Sequence, residues 1–375
     1  MTGRVAPEPG PRVPLLLDVD TGIDDSLALL YACGSPDAEL VAFTCVGANV
    51  DARQVAENTR AVLELAGRDD VEVALGREMP LVRPLVTTPE THGPRGIGYA
   101  VLPAARRPLS DRDASDLIVG EARRRPGEIT LVTLGPATNL AVAVLREPEL
   151  PLLLRRWVLM GGSYRSPGNT APTTEWNASV DPDALRVCIA AFGEPSVVER
   201  RRAAGRAGLP LALGLDVTER AKMLPDHVAA LARRAGSRPD RSRDEGDAGN
   251  PAPGAGSSGA PGGGSTATHP VVRYVEDALR FYMEFHSRYD GFYGAFIHDP
   301  LAVAAALDPG LVRTEELAVD VELGGTLTTG ETVADWRRTW GLPPTLAVAV
   351  EADTAAFFAR FVERVGGLAE RIGPG

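Results

Sequence analysis

Leu15-Leu16-Leu17-Asp18-Val19-Asp20-Thr21-Gly22-Ile23-Asp24-Asp25-Ser26-Leu27-Ala28-Leu29-Leu30 sets four carboxylates within eight positions, between an apolar run and a helical apolar pattern. Leu15 to Leu17 reads as a buried strand, and Leu27 to Leu30 as part of a helix that starts near Asp24. Like charges crowded at the carboxyl end of a strand repel one another and resist leaving water. A cation, a bound proton or a substrate hydroxyl must offset them. An all-oxygen donor set, with no Cys or His among it, selects a hard ion such as Ca²⁺ or Mg²⁺. Capping of the helix accounts for Asp24 alone and leaves Asp18 and Asp20 unexplained.

Outward from this stretch, short Val/Ile/Leu runs alternate with helical patterns. Strands are expected at Pro14–Asp18, Glu39–Val46, Glu72–Leu75, Ile129–Thr133, Arg156–Met160 and Leu211–Gly214. Helices are expected at Asp24–Cys33, Ala52–Ala66, Ser115–Arg125, Pro136–Arg146, Pro182–Phe192, Val271–Arg288, Pro300–Leu307 and Thr354–Val365. The alternation predicts an α/β fold with an open, mostly parallel central sheet flanked by helices. Ligands in such sheets sit outside the carboxyl ends of the strands, which is where the acidic stretch falls. Leu317 to Leu323 alternates like an edge strand. Residues 237–268 are rich in Gly, Pro and Ser and bury no apolar face, so a disordered insertion is expected there. It interrupts a single domain over 13–372, preceded by a flexible N-terminus at 1–12.

The balance of 39 Lys and Arg against 50 Asp and Glu leaves a formal net charge of −11. That excludes a nucleic-acid backbone or an anionic membrane as the main partner, since both need clustered cations. A neutral or cationic small molecule fits better. Cys33, Cys45 and Cys188 are too few and too scattered for a disulfide framework, which suits a reducing cytoplasm. No apolar stretch reaches the ~18 residues that a membrane span needs. Lys222 is the only lysine, and no GxxxxGK[ST] phosphate loop surrounds it.

Two more clusters repeat the pattern of a buried strand ending in polar residues. Met160-Gly161-Gly162 leads through Gly168-Asn169 to Glu175-Trp176-Asn177, whose amides and carboxylate suit sugar hydroxyls, though Asn and Gly also serve turns. His298-Asp299-Pro300 precedes an Ala-rich helix, where Asp299 can equally act as a cap and His298 as a core residue. Gly47-Ala48-Asn49, Leu134-Gly135-Pro136-Ala137-Thr138-Asn139 and His92-Gly93-Pro94-Arg95-Gly96 complete the set.

In this order and spacing the segments resemble the nucleoside hydrolase family, calcium-dependent enzymes that cleave the N-glycosidic bond of ribonucleosides. Asp18 to Asp25 matches the DxDxGxDD fingerprint, Gly168-Asn169 with Glu175-Trp176-Asn177 the GN…E-aromatic-N segment, and His298 to Ala302 the HDPLA segment. The resemblance implies Ca²⁺ held by Asp20, Asp25, Asp299 and the Leu134 carbonyl. It implies Asp24 as the base on the water that the ion holds, and an oxocarbenium-like transition state. Asn49, Met160, Asn169, Glu175, Trp176 and Asn177 would bind the substrate, with His92 beside it and His298 protonating the leaving base. A homodimer or homotetramer and a role in nucleoside catabolism and salvage follow from the same resemblance.

Departures from the family pattern are Thr21, where Pro is common, and Val46-Gly47-Ala48-Asn49 in place of Val-x-Gly-Asn. Tyr282, Arg288, Tyr289 and Tyr293 are candidates for contacts to the base. Two other readings stay open on the residues. One is a catalytically silent nucleoside- or ribose-binding protein. The other is a haloacid-dehalogenase-type phosphatase, which Asp18-Val19-Asp20-Thr21-Gly22 also resembles but which needs a lysine in a downstream loop.

Overall fold

The computed structural model describes residues 12–237 and 267–374. The expected insertion thus lies outside the described residues except at its edges, as does the N-terminus apart from Arg12. Twelve strands are described: β1 Val13–Val19, β2 Ala38–Cys45, β3 Glu72–Leu75, β4 Thr130–Thr133, β5 Arg156–Met160, β6 Leu211–Leu213, β7 Lys222–Met223, β8 Ala295–Phe296, β9 Val312–Leu317, β10 Val319–Val321, β11 Thr332–Ala334 and β12 Leu346–Ala352. Eight of them form the central sheet in the order β3-β2-β1-β4-β5-β6-β12-β9. All neighbours are parallel except β12 and β9.

Side chains alternate across β1. Leu15, Leu17 and Val19 join the apolar cluster on one face, and Leu16 joins the cluster on the other. Both faces are covered by helices, which is why β1 reads as a continuous apolar run with no polar alternation. The helix Ile23–Gly34 packs on the helices His298–Leu307 and Thr354–Ile372. Truncating Leu16 or Leu17, both fully buried, to Ala would cost about 2–5 kcal/mol.

Expected and observed elements agree closely for the first six strands, with ends displaced by a residue at most. The alternating stretch Leu317 to Leu323 is corrected. The antiparallel sheet edge is β9, which ends at Leu317, whereas β10 pairs with β11 in a separate two-stranded ribbon. Strand β12 and the helices Pro195–Ala203 and Pro225–Arg234 went unassigned in the sequence. Among the described residues no helix is long and apolar enough to cross a membrane.

Candidate active site

The strand order reverses at β1, whose neighbours β2 and β4 lead to opposite halves of the sheet. The loops after β1 and β4 therefore diverge and leave a crevice, the usual ligand position in an open α/β sheet. Asp20, Thr21 and Gly22 follow β1 into this crevice, and Leu134 follows β4.

Asp25 organises the loop after β1. Its carboxylate accepts the backbone N–H of Gly22 at 2.9 Å and of Asp20 at 3.2 Å, and the Asn49 amide at 3.3 Å. Asn49 also donates its backbone N–H to Asp20 at 3.2 Å, while its side-chain oxygen is buried with no partner among the described residues. The Nδ1 of His92 accepts the Ile23 backbone N–H at 3.1 Å. Space is tight here. A Cβ on Gly22 would lie 2.6 Å from the Asn49 amide nitrogen and 2.7 Å from His92 Nδ1, so only glycine fits.

Asp24, Asp25 and Asp299 each bring a carboxylate oxygen within 4.8 Å of the other two, and all three are buried. Burial first, and then the charge of a neighbouring carboxylate, holds Asp20, Asp24 and Asp299 well above the ordinary carboxylate range. Burial also raises Asp25, against the pull of the Gly22 and Asp20 N–H groups. No cationic side chain is among the principal groups acting on these four. Clustered, oxygen-only and uncompensated, the cluster can hold a metal ion and fits a hard one. Asp18 is a different case. It faces Thr44 and Asn139, which donate to its Oδ1 at 2.6 and 2.7 Å, and burial pushes its carboxyl up to about 7.

The opposite wall comes from the segment after β5. Glu175 caps the helix Trp176–Val180, accepting the N–H of Asn177 at 2.8 Å and of Ala178 at 3.0 Å, and it also accepts that of Gly162 at 2.9 Å. The Asn177 amide donates to the carbonyl oxygens of Leu134 at 2.5 Å and Met160 at 3.3 Å, tying the ends of β4 and β5 together. Asn169 accepts the Trp176 N–H at 2.9 Å.

These walls enclose a cavity of about 540 Å³, within the range of small-molecule sites. Asp20, Asp24, Asn49, His92, Leu134, Met160, Asn169, Glu175, Trp176, Asn177, His298 and Asp299 line it, and Asp25, outside the lining, keeps a carboxylate oxygen within 4.8 Å of those of Asp24 and Asp299. Tyr293 does not: it stands half exposed, away from the cavity. The roof is instead the helix Pro270–Tyr289, which presents Tyr282, Phe285, His286 and Tyr289, with Asp290 just beyond its end. Tyr282 and Tyr289 were candidates in the sequence and do line the cavity, Arg288 does not, and the spacing of Phe285 and His286 by three and four residues from those tyrosines is the one signal that could have found them. Glu219 and Phe296 complete that side and carried no sequence signal. Burial pushes His92 and His298 down to about 3, and His298 Nδ1 shares a 2.8 Å hydrogen bond with the Thr218 hydroxyl.

An inosine-uridine preferring nucleoside hydrolase of Leishmania major is 33% identical to the chain, covering 96% of it and 98% of the relative. The pyrimidine-specific ribonucleoside hydrolase RihA of Enterobacter sp. (strain 638) is 32% identical over 94% of the chain and 97% of its own length. Among solved structures, a purine-preferring ribonucleoside hydrolase from Gardnerella vaginalis superposes with a TM-score of 0.78 at 29% identity, covering 96% of this chain and 99% of that one. The plant nucleoside hydrolase PpNRh1 gives 0.77 at 27% identity, covering 95% and 99%. The sequence profile of the inosine-uridine preferring nucleoside hydrolases matches residues 15–359, and the chain belongs to that family.

Proposed function

The chain is a nucleoside hydrolase that cleaves the N-glycosidic bond of ribonucleosides, and we propose that it does so with Ca²⁺ held by Asp20, Asp25, Asp299 and the Leu134 carbonyl. One observation carries this assignment: the cluster of Asp24, Asp25 and Asp299 presents Asp24 and Asp299 to the same cavity whose wall holds Glu175 and Asn177. When bound, the ion offsets the clustered negative charge, orients water and sugar hydroxyls, and makes that water more acidic.

Asp24 takes a proton from the attacking water as its oxygen closes on C1′ of the ribose. Positive charge develops on the sugar as the C1′–N bond lengthens, and the buried carboxylates, Glu175 included, favour it electrostatically. Asn49, Asn169, Glu175 and Asn177 hold the ribose hydroxyls, each a donor and an acceptor. Met160 and Trp176 pack against the sugar, while His92 and His298 flank the base. The relatives' names span inosine and uridine, pyrimidine-specific and purine-preferring enzymes. Base preference is therefore set locally, by the roof helix Pro270–Tyr289. A soluble cytoplasmic homodimer or homotetramer belongs to the same reading.

The test is release of ribose from inosine, adenosine, guanosine, uridine and cytidine, with and without a calcium chelator. Chelator-sensitive release that Ca²⁺ restores is the expected result. Release indifferent to the chelator would remove the metal assignment, and no release from any nucleoside would remove the reaction.

A further inference from the structure

His286 stands in the roof of the cavity on the last turn of the helix Pro270–Tyr289. It is buried, with ring centroids of Tyr282 at 4.6 Å and Phe296 at 4.8 Å. Its Nδ1 lies 2.7 Å from a carboxylate oxygen of Asp290. Its Nε2 is buried without a partner among the described residues. One ring nitrogen is thus fixed by a carboxylate, and the other, on a ring that lines the cavity, is buried without a partner. A buried imidazole nitrogen is not normally left unsatisfied.

We propose that His286, oriented by Asp290, donates the proton that the nucleobase takes up as it departs. The inference rests on the hydrolase reading above and adds the group that serves the leaving side. With Nδ1–H held by Asp290, the protonated ring offers Nε2–H and the neutral ring offers a lone pair at the same atom. The carboxylate and the negative end of the helix both favour the imidazolium. His298 lacks that support, because its Nδ1 meets the uncharged hydroxyl of Thr218.

As the C1′–N bond breaks, its electron pair stays on the base, and the Nε2 proton of His286 moves to a ring nitrogen. The water oxygen bonds to C1′ and its proton passes to Asp24. Solvent then removes the proton from Asp24 and returns one to His286. The charged or titratable groups around the ring are Asp290 and Tyr282 on its own helix, His92, His298, Lys222 on β7, and Glu219 near Asp290. Burial holds His286 below its ordinary value, with Asp290 opposing and Lys222 reinforcing. An acid poised below neutrality surrenders its proton readily, at the expense of its population at higher pH.

The experiment uses the full chain with Ca²⁺ and compares H286Q and D290N with wild type on inosine, uridine and a p-nitrophenyl riboside, whose leaving group needs no proton. H286Q is expected to lower kcat on the nucleosides by on the order of 100-fold, and on the aryl riboside far less. D290N should move the alkaline decline of nucleoside turnover to lower pH, a shift that a merely structural role would not produce. Equal losses on all three substrates, or nucleoside turnover unaltered in H286Q, would overturn the assignment. Wild-type protein inert toward the aryl riboside and the nucleosides alike would instead overturn the hydrolase reading, and the proton donor with it.

Discussion

The Asp25 carboxylate accepts the Gly22 backbone N–H at 2.9 Å, so the side chain beneath the site also fastens the loop that leads into it. Its neighbour in sequence, Asp24, opens onto the cavity. Adjacent carboxylates thus have separable roles. Asp24→Ala is expected to lower turnover by on the order of 10³-fold while leaving Ca²⁺ binding largely in place. Asp25→Ala is expected to abolish Ca²⁺ binding as well as turnover. Calorimetric titration of both variants checks this, and loss of Ca²⁺ binding by Asp24→Ala to the same extent would reassign Asp24 as a ligand.

Calcium should stabilise the fold, since it binds carboxylates that only the native chain assembles. At about 100 times its dissociation constant the ion adds about 2.7 kcal/mol. Melting curves with and without a chelator measure the effect. A melting temperature indifferent to Ca²⁺ in wild type would mean that the acidic floor does not hold it.

Removal of the metal should also make stability depend on pH with a definite sign. Burial raises Asp18 to about 7 and holds Asp20, Asp24, Asp25 and Asp299 above their ordinary range. Between the unfolded value of about 3.9 and these raised values, the native state binds more protons than the unfolded one. Stability is therefore highest near the bottom of that window and falls as pH rises through it. Chelated protein should melt at a lower temperature at about pH 7 than at about pH 5. Added Ca²⁺ should flatten or reverse the difference, because it binds the ionised form. Parallel pH curves with and without Ca²⁺ would count against a metal at these residues.

The floor of the site was legible in the sequence because Asp18 to Asp25 is a local pattern, in which strand end, turn and helix start follow one another. Its neighbours Asn49, Leu134, Glu175 and Asp299 were legible for the same reason, each at a break between elements. Role was less legible than place. Asp18 carries the first position of the fingerprint yet faces Thr44 and Asn139, away from the cavity. The roof depends on how a helix rotates against the sheet, which no local pattern fixes. Of the candidates Tyr282, Arg288, Tyr289 and Tyr293, the helix brings Tyr282 and Tyr289 to the cavity, together with His286, which the sequence did not single out, while Arg288 and Tyr293 do not line it. Strand β12 escaped because Leu346-Ala347-Val348-Ala349 is Ala-rich, and only pairing with β6 and β9 makes it a strand.

Glu175 offers the sharpest separation of charge from shape. Its carboxylate receives three backbone N–H groups, from Gly162, Asn177 and Ala178, yet burial still raises it above its ordinary value. A group held this firmly does not move during the reaction, so its negative charge acts on the sugar in place. Glu175→Gln keeps the size and one acceptor oxygen but removes the charge. It is expected to lower kcat by on the order of 10²-fold with little change in KM, because the charge matters most when the sugar is cationic. Glu175→Ala should in addition destabilise the fold by about 1 kcal/mol through the lost helix cap. Steady-state kinetics on inosine and uridine, with melting curves for both variants, measure the two effects independently. A rise in KM at unchanged kcat in Glu175→Gln would mean that Glu175 binds ground state and transition state alike, leaving the developing charge to the other carboxylates.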